Sequence, residues 1–520
     1  MNGADLLCQT LLANDVNLCF ANPGTSEMHF VAALDRTADM RCVLGLSEIV
    51  VTGAADGFAR MAEKPAATLL HLGPGLANGL SNLHNARRAS TPILNVVGDH
   101  ATYHLPYDAP LASDIESLAR PVSRWVGRAE TADSVAVRTA EALAATRDGA
   151  EGHVSTLIFP ADSAWSAVSG GVRPVRNKPA GARPPARENI EAACAALGDG
   201  APVLLILGSD AMRSRALELG AIIAQATGAT VLSENASRRI ERGAGRVPLP
   251  RVPYPVDAAV SMLAPFRTAI LVGATDPVAF FAYPGKRSRM LPDDCRIITA
   301  ATLAEDPLLA LEMIADGVVP AGRRPAPTLA PFELPPAPQG RITADTLGAA
   351  VAREMPEGTI LVNEAITGGE PFSRYSMRAR PHDVLGLTGG AIGCGIPLAT
   401  GAALACPDRK VVTLQADGSG FYSLQGLWTQ ARERLDVVTV ILANRRYAIL
   451  RYELANVGAG APGVNASRML DIDDPAPDWV SLSKGMGVEA TRVETAEALS
   501  DALASAMKRR GPVLIEAIMD

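Results

Sequence analysis

The 520-residue sequence has few aromatic side chains, no long apolar run and no excess of positive charge. Phe, Trp and Tyr together make up 4% of the residues, so composition neither predicts nor excludes an aromatic binding pocket. No apolar stretch reaches the roughly 20 residues that a membrane-spanning helix needs. The formal net charge of −7, without a basic stripe, argues against nucleic-acid binding. We therefore predict a soluble protein that contacts neither membrane nor nucleic acid.

Paired cysteines and an export signal are also missing. The seven cysteines are scattered and form no CxxC pair, which favours reduced thiols over a disulfide or zinc framework. They are Cys8, Cys19, Cys42, Cys194, Cys295, Cys394 and Cys406. The N-terminal MNGADLLCQTLLANDV lacks the cationic region of a signal peptide. These features predict a cytoplasmic protein.

What the sequence does contain is an ordinary globular composition with a repeated α/β pattern. Hydrophobic residues make up 48% and charged residues 20%, and the length suits two or three domains. Two Pro- and Gly-rich segments, 166–188 and 321–341, are predicted linkers. They separate predicted α/β domains at 1–165, 189–320 and 342–520. The central domain lacks GxGxxG and P-loop motifs, which disfavours a nicotinamide-dependent dehydrogenase.

Residues 411–452 are the most informative stretch. VVTLQA and VVTVILAN are short apolar runs rich in β-branched residues, which is typical of buried parallel strands. Between them, apolar residues recur at helical spacing after Ser423, the predicted N-cap. Such a unit joins parallel strands by a right-handed crossover. Asp417 and Asn444 are therefore predicted at the carboxyl ends of two strands, on the edge where α/β proteins bind ligands.

Asp417 and Asn444 offer one carboxylate and one amide oxygen, with a glycine-rich turn at 418–420 between them. Mg²⁺ favours such oxygen ligands and completes its shell with water and substrate phosphates. The free amides and the Ser419 hydroxyl suit a phosphate group. The alternative is an ordinary turn and an ordinary strand end. The spacing of 27 residues across a complete crossover unit favours the magnesium and phosphate interpretation.

The Asp-Gly-Ser at 417–419, followed by Asn444, resembles the thiamine-diphosphate signature of a Gly-Asp-Gly and a later asparagine pair. Ala416 and Ala443 replace the first glycine and the first asparagine, neither of which supplies a metal-binding side chain in that family. Further similarity extends over nearly the whole chain. The sequence thus resembles the thiamine-diphosphate-dependent 2-oxo acid decarboxylases and carboligases, in the branch of acetolactate synthase and benzoylformate decarboxylase.

This resemblance implies three doubly wound parallel-sheet α/β domains: an N-terminal pyrimidine-binding, a central Rossmann-like and a C-terminal diphosphate-binding domain. It implies thiamine diphosphate and Mg²⁺ as cofactors and a small 2-oxo acid as substrate. It also implies a homodimer or homotetramer with active sites at the subunit interfaces, where Glu48 of one subunit faces Asp417 of another. The flavin-contacting pattern of acetolactate synthase is not found in the central domain, so FAD is not predicted.

In the resembled family a carboxylate hydrogen-bonds the aminopyrimidine ring of the cofactor and promotes removal of the thiazolium proton. Glu48, in LGLSEIVVTGAADGFAR, occupies the matching position. The local sequence alone favours a simpler explanation, a first-turn glutamate stabilised by the helix dipole. The resemblance predicts Glu48 as a catalytic and cofactor-binding residue.

The resemblance also assigns the remaining cofactor contacts. Ile392, in GGAIGCGIP, matches the bulky aliphatic residue that bends the cofactor, and flanking glycines allow close backbone approach; the alternative is an ordinary core isoleucine. The predicted metal ligands are Asp417, Asn444 and the backbone carbonyl of Arg446. The other predicted cofactor-binding residues are Thr367, Ala391, Gly418, Ser419, Tyr447 and Ala448.

His71 and Thr25 match a histidine and a serine that benzoylformate decarboxylase places near the cofactor. A histidine, with an ordinary pKa near neutrality, suits the proton transfers of decarboxylation. A lone histidine at a strand end is more often structural, and the resemblance is what favours catalysis. The roles of His100 and His104, in GDHATYH, stay open between partial substitution for a second histidine and no catalytic role.

Benzoylformate decarboxylase has a second histidine in its middle domain, and the matching stretch here, DPVAFFAYPG, offers Phe280, Phe281 and Ala282. Without that histidine, slower protonation of the carbon left after decarboxylation would favour its attack on a second carbonyl compound. We therefore predict a 2-oxo acid decarboxylase with carboligase activity, acetolactate-synthase-like. A simple benzoylformate-type decarboxylase is the alternative within enzymes. A non-catalytic cofactor-binding paralogue is disfavoured because it has no need for Glu48.

Overall fold

The computed structural model describes residues 1–177, 180–320 and 322–519. Parts of both predicted linkers, at 178, 179 and 321, and the last residue of the predicted C-terminal domain lie outside the described residues. Within them the strands form three larger sheets and one two-stranded ribbon. Every helix in this described part is too short or too polar to cross a membrane.

The N-terminal part of the chain folds around a six-stranded sheet. Its strands are β1 (Leu18–Asn22), β2 (Arg41–Leu44), β3 (Ala66–Leu70), β4 (Ile93–Asp99), β5 (Trp125–Arg128), the ribbon strands β6 (Arg147–Asp148) and β7 (Glu151–Gly152), and β8 (Val154–Pro160). Its helices are α1 (Gly3–Ala13), α2 (Met28–Leu34), α3 (Glu48–Ala62), α4 (Leu72–Arg88), α5 (Ile115–Ala119), α6 (Val135–Ala144) and α7 (Ala161–Trp165). The strand order is β2-β1-β3-β4-β8-β5, with all neighbours parallel.

Helices cover both faces of this sheet because successive strand residues point to opposite sides. Leu69 and Val96 enter a core shared with α1, α2 and α6. Leu70 and Val97, one position further along β3 and β4, enter a second core shared with α3, α4 and α5. The continuous apolar runs of the sequence are therefore buried on both faces, as the doubly wound prediction requires.

The middle part of the chain folds around a four-stranded parallel sheet of order β10-β9-β12-β13. Its strands are β9 (Val203–Leu207), β10 (Thr230–Ser233), β12 (Thr268–Val272) and β13 (Arg296–Ala301), with β11 (Ile240–Arg242) lying between β10 and β12 in sequence. Its helices are α8 (Arg187–Gly198), α9 (Ser214–Thr227), α10 (Val256–Leu263) and α11 (Pro307–Val318). Leu205 and Leu207 pack under α8, α9 and α11, whereas Leu204 and Ile206 pack under α10.

The C-terminal part of the chain folds around a seven-stranded sheet. Its strands are β14 (Ile360–Glu364), β15 (His382–Gly386), β16 (Val411–Ala416), β17 (Val437–Ala443), β18 (Glu489–Val493) and β19 (Val513–Ile518). Its helices are α12 (Ala344–Glu354), α13 (Glu370–Ser376), α14 (Gly395–Ala405), α15 (Asp417–Gly420), α16 (Gly426–Arg432), α17 (Ala448–Asn456), α18 (Val464–Leu470), α19 (Trp479–Gly485) and α20 (Ala496–Lys508). The seventh strand is β11, at the edge of the order β11-β15-β14-β16-β17-β19-β18.

Strand β11 departs from the all-parallel expectation. It comes from the middle stretch of the sequence and pairs antiparallel with β15, with Ile240 opposite Val384. The other pairs in this sheet are parallel. An edge position accepts an antiparallel strand without a crossover helix. The predicted class of three doubly wound α/β units is otherwise confirmed.

The predicted strand–helix–strand unit is present with one difference. The two apolar runs are the parallel neighbours β16 and β17. Between them the predicted helix is α16, which begins at Gly426 with Gln425 as its N-cap instead of the predicted Ser423. A separate short helix, α15, precedes it directly after β16, and in its first turn the Asp417 carboxylate accepts a hydrogen bond from the Gly418 amide at 2.8 Å.

Helices α3 and α14 join the N-terminal and C-terminal units by direct backbone contact. A side chain on Gly57 would overlap the carbonyl oxygen of Leu398, and one on Gly401 would overlap the carbonyl oxygen of Ala54. Both glycines therefore allow a closer approach of the two helices than any other residue permits. This crossing fixes α3, which begins at Glu48, against the helix that follows Ile392 and Gly393.

We expect Gly57→Ala to lower the free energy of unfolding by about 1–3 kcal/mol, because the added methyl group must push two backbones apart. Thermal unfolding followed by circular dichroism measures this change. Gly198→Ala is the matched control, since the exposed Gly198 ends helix α8 with open space around it. Equal melting temperatures for the two variants would contradict the close crossing.

Candidate functional site

The carboxyl ends of β14, β16 and β17 meet at one edge of the C-terminal sheet and enclose a cavity of about 50 Å³. It is lined by Ala365, Ile366, Thr367, Gly368, Ile392, Ala416, Asp417, Gly418, Ser419, Leu442, Asn444, Arg446, Tyr447, Ala448, Ile449 and Met519. All the predicted metal ligands and most of the predicted cofactor-binding residues therefore surround one space.

Asp417 is the buried acid of this cavity, with its side chain in a fixed orientation. It is 2% exposed. Oδ1 accepts from the Gly418 amide at 2.8 Å, and Oδ2 accepts from the Arg445 amide at 2.6 Å. Burial raises the pKa of this carboxyl, and the two backbone hydrogen bonds oppose the rise. The carboxylate is thus held at the cavity wall by the backbone of both neighbouring strand ends.

The other side of the cavity is formed by the segment after β17. Asn444 Oδ1 accepts from the Arg446 amide at 3.1 Å, which turns the chain back toward α17. The Tyr447 ring lies over Gly418, where a side chain on the glycine would be 2.6 Å from the ring. The Ser419 hydroxyl donates to the Ala416 carbonyl at 3.2 Å and contacts Gln415 Nε2 at 2.6 Å. Asn444 and Tyr447 therefore line the opening, while Ser419 also ties α15 to the end of β16.

The side chains and backbone oxygens around the cavity determine which cation it suits. No group of three or more His, Cys, Asp or Glu side chains in the described residues is arranged to hold a metal. A closed zinc site requires such a group. One buried carboxylate with amide and carbonyl oxygens leaves coordination positions for water and phosphate, which is the preference of Mg²⁺. The residues fit a magnesium ion that also holds a diphosphate.

The loop 389–395 carries Ala391 and Ile392 along one side of the cavity and is held by two buried side chains that the sequence did not reveal. Asn85, on α4, donates from Nδ2 to the Ala391 carbonyl at 2.7 Å and accepts from the Ala391 amide at 3.2 Å. This reciprocal pair fixes the backbone directly before Ile392. The sequence signal is a pair of asparagines, Asn82 and Asn85, on the buried face of α4.

Glu364 holds the other end of the same loop. It is 1% exposed and accepts from the amides of Gly393 and Gly395 at 2.5 Å each. Gln415 Nε2 also donates to Glu364 Oε2, at 3.1 Å. Burial raises the pKa of Glu364, and the backbone hydrogen bonds oppose this. The carboxylate caps the N-terminus of α14, where the helix dipole favours negative charge.

A second group of predicted residues lies in the N-terminal unit. Glu48 is the first residue of α3, is 6% exposed, and accepts from Asn78 Nδ2 at 3.1 Å. A side chain on Gly75 would lie 3.0 Å from Glu48 Oε1 and 3.4 Å from His71 Cβ. Glu48 and His71 are thus neighbours around a glycine that leaves room between them.

His71 is paired with a buried glutamate, Glu27, that sequence reasoning missed. Its Nδ1 lies 2.8 Å from Glu27 Oε2, which also accepts from the Gly24 amide at 2.7 Å. Burial raises the pKa of Glu27, which the Gly24 amide and His71 oppose. The sequence signal was the glutamate three residues after Gly24, a capping pattern at the start of the 3-10 turn Thr25–Glu27. Thr25 itself is exposed on that turn.

The remaining histidines follow the neighbouring strand β4. The rings of His100 and His104 pack edge to face with centroids 5.3 Å apart. The preceding Asp99 accepts from the His100 amide at 2.8 Å and pairs with Arg128. These contacts stabilise the loop after β4.

Comparison with known proteins finds family domains in both the N-terminal and the C-terminal part of the chain. The N-terminal and C-terminal thiamine pyrophosphate binding domains of thiamine pyrophosphate enzymes match residues 1–118 and 371–517. A Mycobacterium tuberculosis protein named "Putative acetolactate synthase large subunit IlvX" is 48% identical over 522 residues, covering 100% of this chain and 99% of the relative. Benzoylformate decarboxylase of Pseudomonas aeruginosa is 28% identical over 538 residues, covering 98% and 97%.

A solved structure gives the same result at the level of fold. The thiamine diphosphate-dependent 4-hydroxybenzoylformate decarboxylase of Rhodococcus jostii RHA1 superposes with a TM-score of 0.85 and 26% identity, covering 100% of this chain and 99% of that one. The family resemblance of the sequence is therefore confirmed. The chain belongs to the thiamine pyrophosphate enzymes, and its relatives in that family bear the names acetolactate synthase and benzoylformate decarboxylase.

Proposed function

We propose that the protein is a thiamine-diphosphate- and Mg²⁺-dependent enzyme that decarboxylates a 2-oxo acid and joins the acyl carbon to a second carbonyl compound. The proposal depends on one observation: the cavity at this sheet edge is lined by the buried Asp417 together with Asn444 and Ile392. In the reaction, the bond between carboxylate and carbonyl carbon breaks and carbon dioxide leaves. A new carbon–carbon bond then forms to the acceptor, whose oxygen takes up a proton.

The proposal assigns the cavity residues to the phosphate end of the cofactor. Asp417, the Asn444 side chain and the Arg446 carbonyl would hold Mg²⁺. Thr367, Ser419 and the backbone amides near Gly418, Tyr447 and Ala448 would hold the diphosphate, and Ala391 and Ile392 would contact the rings. The bound cofactor supplies the electron sink for decarboxylation, which no side chain provides.

The N-terminal group supplies the proton transfers. Glu48 is buried and is oriented by Asn78, so its carboxylate is placed to exchange a proton with a ring nitrogen. His71 exchanges protons with substrate through Nε2, because Glu27 occupies Nδ1. Thr25 lies on the same turn as Glu27, and the proposal assigns its hydroxyl to the substrate side of this pair.

The proposal of an oligomer with shared active sites rests on the family resemblance of the sequence. We propose a homodimer or homotetramer in which Glu48 of one subunit completes the Asp417 cavity of another. The proposed domains are pyrimidine-binding 1–165, central 189–320 and diphosphate-binding 342–520. The family matches at 1–118 and 371–517 fall within the first and third.

Two observations bear on the fate of the acyl carbon. The segment 277–284, which follows β12, contains Phe280, Phe281 and Ala282 and no histidine, which favours carboligation over protonation to aldehyde. The 48% identical relative bears an acetolactate synthase name. The names of the 28% identical relative and the superposed structure favour the second candidate, a benzoylformate-type decarboxylase.

Product analysis distinguishes these functions. Pyruvate and phenylglyoxylate are incubated separately with the protein, thiamine diphosphate and Mg²⁺, and products are identified by mass spectrometry. We expect acetolactate or another ligated product, and loss of turnover when EDTA removes the metal. Free aldehyde as the sole product would support the second candidate. Binding of the cofactor with no turnover of either 2-oxo acid would contradict the proposed decarboxylation of these two substrates.

Glu48→Gln is expected to lower kcat by about 10²–10⁴-fold, the contribution of a proton-transfer group. The amide keeps the size of the side chain and a hydrogen bond to Asn78 but cannot take up a proton. Cofactor binding, followed by quenching of tryptophan fluorescence, and the circular dichroism spectrum should stay near wild type. A variant with full turnover would remove Glu48 from the mechanism.

Glu27→Gln is expected to lower kcat/KM on the order of 10-fold, less than the ~10²–10⁴-fold of a group that transfers the proton itself. Burial raises the pKa of Glu27, so in wild type its carboxylate takes up a proton at a higher pH than an ordinary glutamate does. Glutamine does not titrate, so the acidic limb of the pH profile of kcat/KM should lose the contribution of Glu27 and change shape. Glu188→Gln, at an exposed position of α8, is the control. An unchanged pH profile would assign Glu27 a structural role.

A further inference from the structure

The segment between β12 and β13 forms an ordered hairpin, residues 277–290, next to the C-terminal cavity. The Ala279 amide donates to the Ser288 carbonyl at 2.7 Å, and the Met290 amide donates to the Pro277 carbonyl at 3.0 Å. Val278 and Arg289 form an antiparallel bridge. These bonds close the base of the hairpin, so the residues beyond it have a defined position.

The hairpin presents two adjacent aromatic rings to solvent. Phe280 is 48% exposed and Phe281 is 53% exposed, and their ring centroids lie 4.9 Å apart in an edge-to-face arrangement. Ala282 follows and is also exposed. Apolar surface left in water costs about 25 cal/mol per Å² relative to burial. Two of the ten phenylalanines of the chain thus form an apolar surface that a ligand can cover.

Phe280 contacts the loop that carries Ile392. A side chain on Gly390 would overlap the Phe280 ring, with Cε1 at 3.0 Å, so the ring packs directly on the Gly390 backbone. Gly390 has a φ of +78°, which glycine adopts without strain. Phe280 therefore contacts the loop two residues before Ile392, the candidate cofactor-bending residue.

Phe280 is also linked to α17 through Tyr254. The Tyr254 ring packs against Phe280 with centroids 5.8 Å apart, and its hydroxyl donates to Glu453 Oε1 at 3.1 Å. Glu453 lies on α17, whose first residue, Ala448, lines the cavity. Phe280 thus contacts the loop 389–395 directly and is connected to α17 through Tyr254.

The charged side chains of the hairpin form ion pairs with aspartates. Lys286 pairs with Asp257 at 2.8 Å, Arg289 with Asp276 at 2.7 Å, and Arg287 with Asp293 at 2.5 Å. Such pairs leave the exposed surface formed by Phe280, Phe281 and Ala282 apolar. Its complement is an uncharged hydrocarbon group, which packs against aromatic edges and faces.

We propose that Phe280 and Phe281 form the side-chain subsite of the enzyme and select 2-oxo acids with a bulky apolar substituent over pyruvate. The proposal rests on the proposed function, because the rings lie beside the cavity assigned to the cofactor. The 2-oxo acid function is common to all candidate substrates, so discrimination depends on the substituent. One methylene in an apolar pocket changes specificity by about 10–200-fold.

The test is a comparison of kcat/KM for pyruvate, 4-methyl-2-oxopentanoate and phenylglyoxylate in wild type, Phe280→Ala and Phe281→Ala, with thiamine diphosphate and Mg²⁺. Consumption of each 2-oxo acid is followed, so the result does not depend on which product forms. We expect wild type to favour the two bulky substrates over pyruvate by about 10-fold or more. Each substitution should lower kcat/KM for the bulky substrates by about 10-fold and change it for pyruvate less than about twofold.

Val278→Ala is the matched control, an exposed apolar residue at the base of the same hairpin, and it should leave all three values unchanged. Cofactor affinity and the oligomer size by light scattering should match wild type in every variant. Equal losses for pyruvate and the bulky substrates, a wild-type preference for pyruvate, or a smaller oligomer in Phe280→Ala would overturn the subsite. Cofactor binding without turnover of any of the three 2-oxo acids would instead overturn the proposed function and the subsite with it.

Discussion

The loop 389–395 is held by buried hydrogen bonds from both the N-terminal and the C-terminal unit, and the arrangement of the site depends on it. Asn85 satisfies both backbone groups of Ala391, and Glu364 accepts the amides of Gly393 and Gly395. A buried donor left without an acceptor costs about 1–3 kcal/mol. Any displacement of the loop breaks several of these bonds together. The backbone on both sides of Ile392 is therefore held by hydrogen bonds.

The same bonds couple the two groups of candidate residues within one chain. Helix α4 begins after His71, carries Asn78 against Glu48, and ends beside the loop through Asn85. The close crossing of α3 and α14 adds a second connection, because Gly57 and Gly401 leave their backbones in contact. The N-terminal and C-terminal units thus form one rigid framework. An oligomer built from such chains would fix the relative positions of Glu48 and Asp417 across its interfaces.

The sequence predicted the features that depend on local pattern. Asp417 and Asn444 followed from two apolar strands and the crossover between them, since parallel strands end at a common edge. Asn85 and Glu364 were missed because their partners are distant in sequence and are backbone groups, which no side-chain pattern marks. Glu27 left a local capping pattern after Gly24, but its pairing with His71, 44 residues away, left none. Asn85 and Ala391 are 306 residues apart.

Two further differences concern where an element pairs or begins. The edge strand β11 pairs with β15, more than a hundred residues later, and so left no periodic signal in its own segment. The helix predicted after Ser423 begins later, at Gly426 with Gln425 as its N-cap, and a separate short helix, α15, precedes it. Local propensity describes each element, whereas tertiary hydrogen bonds decide where an element begins and which sheet it joins.

Three buried carboxylates, Glu27, Glu364 and Asp417, show how the fold balances stability against chemistry. Burial raises the pKa of each, so each binds its proton more tightly in the folded than in the unfolded state. Their contribution to stability is therefore greatest below the unfolded values of about 4 and is lost as pH rises through the folded pKa values. Backbone amides that donate hydrogen bonds to each carboxylate oppose this rise. A core built for stability alone would place apolar residues at these positions, and buried acids with raised pKa values are typical of functional sites.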